Sequence, residues 1–144
     1  MTEAELFANW QARKSAGSYY RLRAVTTAEA EFMRTEVPGD GYARVRFSCS
    51  PADSLSLEFA AAWPDTLQRG EPAEIEAAIA LTVVDELLGR SIRPFRGCSL
   101  VLEEVGWHEV GSSEAAFRLA TERALSRLRS DQAAWEHVGH GDLP

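Results

Sequence analysis

The chain has 144 residues, 45% of them hydrophobic and 26% charged, which is enough for one folded core and too few for two comfortable ones. Its 22 acidic and 15 basic residues leave a net charge of -7, opposite in sign to the footprint of a typical nucleic-acid binder, so any RNA contact must be local. The single lysine, Lys14, follows Arg13 rather than a glycine, which excludes a Gly-Lys-Ser/Thr phosphate loop, so no nucleotide is expected as ligand.

From the N-terminus, Thr2 and Glu5 have capping-box spacing, and Leu6, Phe7 and Trp10 then fall on one side of a short helix ending before Gly17. Residues 1–17 therefore read as an appended helix. From Tyr19 the period changes to two: Tyr20, Leu22 and Ala24 alternate with Tyr19, Arg21 and Arg23, as in a half-buried strand. A second, less clearly patterned strand is expected over 31–37, turning at Pro38-Gly39-Asp40-Gly41 into a hairpin. The next strand has the cleanest pattern, with Ala43, Val45, Phe47 and Cys49 on one face and Tyr42, Arg44, Arg46 and Ser48 on the other. Leu55, Leu57 and Phe59 repeat the alternation after a turn at Pro51-Ala52-Asp53-Ser54.

Gly70-Glu71-Pro72 opens a long helix, with proline near the first helical position and acidic residues at the positive end of the dipole. Ile75, Ile79, Val83 and Leu87 are its core candidates, and Gly89 stops it. Cys98, Leu100 and Leu102 alternate with Ser99, Val101 and Glu103 in a further strand. This strand runs into Trp107-His108-Glu109-Val110-Gly111-Ser112-Ser113-Glu114. Ser112 or Ser113 can cap a second long helix whose buried stripe is Phe117, Ala120, Ala124 and Leu128. The order of strands, helix, strand, helix predicts a two-layer α+β sandwich over 18–130 with both long helices on one sheet face. Residues 131–144 read as a polar, loose tail.

Cys49 and Cys98 sit in separate apolar runs with no Cys-x-x-Cys or His-Cys neighbour, and read as reduced core thiols. His137-x-x-His140 with Asp142 has metal-ligand residue types, but a tail offers no rigid frame, so no metal or other cofactor is expected. No serine or cysteine has a paired base, and the serines before Glu114 are better helix caps than nucleophiles, so an enzyme is the least favoured class. No stretch approaches the roughly 18 apolar residues of a membrane span, and the N-terminus lacks a signal-peptide pattern, which makes the cytoplasm the default and a membrane partner unexpected.

Several motifs, in order, resemble the fourth domain of elongation factor G, the ribosomal translocase. Trp107 to Phe117 is similar to its His-Asp-Val-Asp-Ser-Ser-Glu-x-Ala-Phe segment, Gly41-Tyr42-Ala43-Arg44-Val45 to its Gln-Tyr-Gly-His-Val strand, and Glu58-Phe59 to a Glu-Phe pair. Tyr20-Arg21 resembles the first strand, Gly70 to Gly89 a loop and helix, and Pro94 a proline before the last strand. The resemblance spans about Tyr19 to Arg129. It implies a ribosomal protein S5 domain 2-like fold, β(3-4)-α-β-α with a left-handed crossover. It further implies that two tip loops, here Gly39, Asp40 and Gly41, and Trp107, His108, Glu109 and Gly111, contact the ribosome or RNA. Asp40 stands in a first tip loop that carries a basic residue in the family, Glu109 takes the place of an aspartate, and Gly111 replaces a later aspartate. The remaining domains of the factor have no room in 144 residues.

Two readings of His108 stand: a loop-tip histidine that stacks on or hydrogen-bonds a nucleotide beside an exposed Trp107, or a residue that positions its loop, which the acidic surroundings favour. Arg21, Arg23, Arg44 and Arg46, with Tyr19 and Tyr42, would share the helix-free sheet face if their strands are neighbours. They could bind single-stranded RNA or an acidic partner there, or simply pair with glutamates such as Glu31 and Glu58. The expected function is a non-catalytic domain that associates with the ribosome or RNA through its tip. The alternative is a protein-interaction or self-associating module on the same scaffold.

Overall fold

The computed structural model describes residues 2–6, 17–33, 41–63, 71–107 and 114–139. At the N-terminus the capping box is present: the Thr2 N–H donates to Glu5 Oε2 and the Glu5 N–H donates to Thr2 Oγ1, each at 3.1 Å, around one helical turn over 3–6. The rest of the expected appended helix lies outside the described residues. The elements that follow are β1 (Tyr19–Leu22), β2 (Thr26–Met33), β3 (Tyr42–Pro51), β4 (Ser56–Phe59), α1 (Glu71–Val84), β5 (Cys98–Gly106), α2 (Glu114–Ser130) and β6 (Trp135–Val138).

The core is organised around β3. Period two sends Ala43, Val45, Phe47 and Cys49 inward to complete burial, while Tyr42, Arg44, Arg46 and Ser48 point the other way. Strand β2 pairs with it antiparallel from Thr26↔Cys49 to Met33↔Tyr42, and β5 pairs antiparallel on its other edge. Strand β4 then joins β5 in parallel, giving the order β2-β3-β5-β4. Parallel neighbours need a crossover, and α1 lies on it. The inward residues Ile75, Ile79, Val83 and Leu87 of the first helical segment, and Phe117, Ala120, Ala124 and Leu128 of α2, join the strand residues in one hydrophobic cluster. This is the expected two-layer α+β sandwich with both helices on one sheet face.

Two local departures from regular geometry follow from burial. The turn after α1, Asp85–Gly89, is a π-turn, and the widened turn lets Glu86, Leu87 and Leu88 all face inward. The buried Glu86 carboxylate is held between Arg90 (3.3 Å) and Arg129 (3.2 Å), which ties the end of this helix to the end of α2. In β5 the register shifts opposite Arg46/Phe47, so that Glu104 pairs with Arg46 and Leu102 with Phe47. Strict alternation after Leu102 would aim Glu104 at the core, and the bulge at Glu103 keeps both carboxylates exposed.

Three expectations are corrected. The second strand begins at Thr26 rather than at residue 31, because its inward positions there are the small residues Ala28 and Ala30, which give weak hydrophobic contrast; it is described to Met33, and residues 34–37 of the expected strand lie outside the described residues. Strand β1 does not alternate as expected: Tyr19 and Leu22 are buried and Ala24 is exposed in the bend beyond it. It does not lie in the four-stranded sheet, but pairs antiparallel with β6, from Tyr19↔Val138 to Leu22↔Trp135. The supposed loose tail accordingly holds a 3-10 turn, Gln132–Ala134, and strand β6. Trp135 anchors it, buried edge-on against Phe95 with its indole N–H donating to the Leu128 carbonyl at 2.9 Å. Only residues 140–144 lie outside the described chain at this end.

Candidate functional site

The register defines one end of the sheet. Met33 lies opposite Tyr42 and Arg44 opposite Gly106, so the β2–β3 connection and the β5–α2 connection leave the sheet side by side. These are the two expected tip loops. Of their candidate residues, Gly41 and Trp107 are described, whereas Gly39, Asp40, His108, Glu109 and Gly111 lie outside the described residues, as do the cap candidates Ser112 and Ser113. Gly41 has φ +112°, a conformation that favours glycine, where the chain enters β3. Gly106 is bare for a different reason: a Cβ there would sit 2.7 Å from Arg44 Cβ and 2.8 Å from Tyr42 Oη, side chains that lie across β5. Tyr42 Oη donates to Glu31 (3.1 Å), and burial, followed by that hydrogen bond, raises its pKa.

Trp107 is not the exposed aromatic the sequence suggested. It is half-buried, its ring stacked on Phe117 with centroids 5.8 Å apart, while Trp63 meets Phe117 edge-on at 5.4 Å. Its indole secures the start of α2 and leaves less ring face for a nucleobase.

The helix-free face carries arginines, but they are paired. Arg44 contacts Glu29 at 2.8 Å and Glu104 at 4.0 Å, and Arg46 contacts Glu104 at 3.1 Å and Glu103 at 3.6 Å. Such half-exposed pairs are each worth under about 1 kcal/mol, yet they set two arginines against three glutamates and leave no positive strip. Tyr42 shares this face, but Tyr19, Arg21 and Arg23 are elsewhere, because β1 meets β6 rather than β3. Arg21 binds Glu136 at 2.7 Å and Asp53 at 3.2 Å, and Glu136 raises its pKa. Arg23 donates to the Trp135 carbonyl at 3.0 Å. Tyr19 is buried beneath the Arg96 guanidinium, which lies 3.6 Å from its ring centroid. A continuous face of Tyr19, Arg21, Arg23, Tyr42, Arg44 and Arg46 therefore does not form.

Among the remaining candidates, His137 lies on β6 with its ring 5.8 Å from that of Tyr20, and His140 and Asp142 are outside the described residues. Among the described residues no group of three or more His, Cys, Asp or Glu side chains could hold a metal ion. Cys49 and Cys98 are free and fully buried; desolvation pushes the Cys49 thiol up to about 12 and that of Cys98 higher still. No helix among the described residues is long and apolar enough to cross a membrane.

Sequence reading missed two concavities. One is a cleft of about 470 Å³ beside Tyr20, Phe95, Arg129 and Trp135, where Tyr20 stacks on Phe95 at 4.6 Å. The other is a groove of about 640 Å³ between α1 and α2. Phe95 and Trp135 are isolated aromatics in polar surroundings, and the groove depends on which helix faces meet. Neither leaves a pattern in the sequence.

No family model and no curated protein matches the chain. Among solved structures it is similar to a protein of Thermus thermophilus with TM-score 0.60 and 19% identity, over 78% of this chain and 16% of that one. The likeness is one of fold, and the chain spans about a sixth of that structure's length.

Proposed function

We propose that the chain is a non-catalytic cytoplasmic domain, similar to the fourth domain of elongation factor G, that associates with the small ribosomal subunit through its two tip loops. The observation that supports this reading is the emergence of both loops side by side at one sheet end, set by Met33↔Tyr42 and Arg44↔Gly106. On this reading the scaffold is of the ribosomal protein S5 domain 2-like type, and His108 is the residue that meets RNA. Base contact rather than phosphate contact is required, since Asp40 and Glu109 would repel the backbone. Co-sedimentation of the purified chain with small subunits tests it. Binding at low salt that is lost in the His108→Ala variant supports the reading, and no binding, or binding indifferent to that change, overturns it.

A second reading, a protein-interaction module that has lost RNA contact, is favoured by the pairing of Arg44 and Arg46 with three glutamates. An RNA-binding sheet face needs cations free to meet phosphates.

A further inference from the structure

Helix α1 is apolar on more than its inward side. While Ile75, Ile79 and Val83 face the core, its solvent stripe is Ala73, Ala77 and Leu81, with Leu81 57% exposed. A helix apolar on both sides is one that expects cover on both. The N-terminal turn supplies part of it, Leu6 packing near Ala77, Ala80 and Leu81. The other flank opens into the groove shared with α2.

That groove is rimmed by charge of one prevailing sign. Glu74, Glu114 and Glu122 line it against the single cation Arg118. Among the described residues none of these three carboxylates has an ion-pair partner, unlike Glu29, Glu103 and Glu104 on the sheet face. Asp85, also on the rim, is held by Arg90 at 3.0 Å. The helix dipoles account for acidic residues at the helix starts, Glu74 and Glu114, but not for Glu122 in mid-helix.

We propose that the groove between α1 and α2 docks a basic amphipathic helix of a partner protein. The alanine floor lets a third helix approach at the short end of the usual 8–10 Å axis spacing. Leu81 meets the apolar stripe of that helix, and lysines or arginines on its flanks reach Glu74 on the α1 wall and Glu114 and Glu122 on the α2 wall. The same carboxylates disfavour RNA here, and they disfavour a second copy of a chain whose net charge is -7. The proposal is independent of the tip loops.

The test uses the full chain and a fluorescein-labelled synthetic helix of about five turns, with leucines along one face and lysines flanking them, read by anisotropy. The expected result is saturable binding that weakens about tenfold on Leu81→Asp and about fivefold on Glu122→Lys, and weakens as salt is raised from about 50 to about 300 mM. His108→Ala should leave it unchanged, which separates it from ribosome association. A peptide of the same composition with its leucines scattered off one face should bind at least about tenfold more weakly. Equal binding of the scattered peptide, or indifference to Leu81→Asp with the circular dichroism melt preserved, overturns the proposal. So does a dimer in sedimentation velocity that Leu81→Asp dissociates, which would make a second copy the occupant. Tightening of about tenfold on Phe7→Ser with Trp10→Ser would also overturn it, by making residues 7–16 the occupant.

Discussion

Trp135→Ala tests whether the C-terminal segment is a structural part of the domain. Trp135 is 4% exposed, lies edge-on to Phe95 at 4.9 Å, and donates its indole N–H to the Leu128 carbonyl at 2.9 Å. An indole that buries about 200 Å² contributes at most about 5 kcal/mol at about 25 cal/mol per Å². Truncation of buried aromatics costs about 3–5 kcal/mol, and partial collapse of the neighbouring cleft places this site near the lower end, at about 3 kcal/mol. Trp135→Phe keeps the ring contact and loses the hydrogen bond, for about 1–2 kcal/mol. Urea unfolding followed by far-ultraviolet circular dichroism reads both changes. Against a total stability of about 5–15 kcal/mol, the alanine variant should shift the midpoint strongly. A loss below about 1 kcal/mol for Trp135→Ala would refute the reasoning and return residues 131–139 to the status of a loose tail.

Gly97 is where the β1/β6 ribbon touches the main sheet: its N–H donates to the Tyr20 carbonyl and its carbonyl accepts from the Leu22 N–H. A Cβ there would lie 2.5 Å from Arg21 Cα, so Gly97→Ala should cost about 1–3 kcal/mol in the same unfolding assay, and an unchanged midpoint would show that the ribbon can shift without cost. The Cys49 and Cys98 thiols should resist a thiol-specific reagent in the native chain at pH 8 and react once it is unfolded. Their folded pKa values are raised, so the unfolded chain loses these protons first. The thiols' contribution to stability is complete below the ordinary value near 9 and is lost as pH rises from there to about 12 for Cys49. Native labelling at pH 8 would count against their burial.

The tip illustrates how far a motif can be read. The Gly41 and Trp107 loops were legible as neighbours through the order of elements and the resemblance, and the ladder of β2, β3 and β5 carries both to one end. The state of Trp107 was not, because a tryptophan beside a loop can face either way, and only Phe117 from the next helix decides. The arginine surface failed for a related reason. Tyr19 to Arg23 and Tyr42 to Arg46 share a period, but period fixes only which side of its own strand a residue takes, and β1 found its partner more than a hundred residues away.

What the sequence determined by itself is local: the Thr2–Glu5 cap, the alternation of β3 and the buried stripes of both helices. Each depends on a repeat of two or 3.6 residues that burial must respect wherever the element ends up. What tertiary structure decided is pairing: β1 with β6, Arg44 and Arg46 with Glu29, Glu103 and Glu104, and Glu86 with Arg90 and Arg129. The acidic balance is visible in the composition. The partnering of its carboxylates, paired with arginines on the sheet face but without ion partners among the described residues at Glu74, Glu114 and Glu122 in the groove, is set by distances of a few ångströms between residues far apart in the chain. Coulomb attraction and desolvation depend on separation in space and not on position along the sequence.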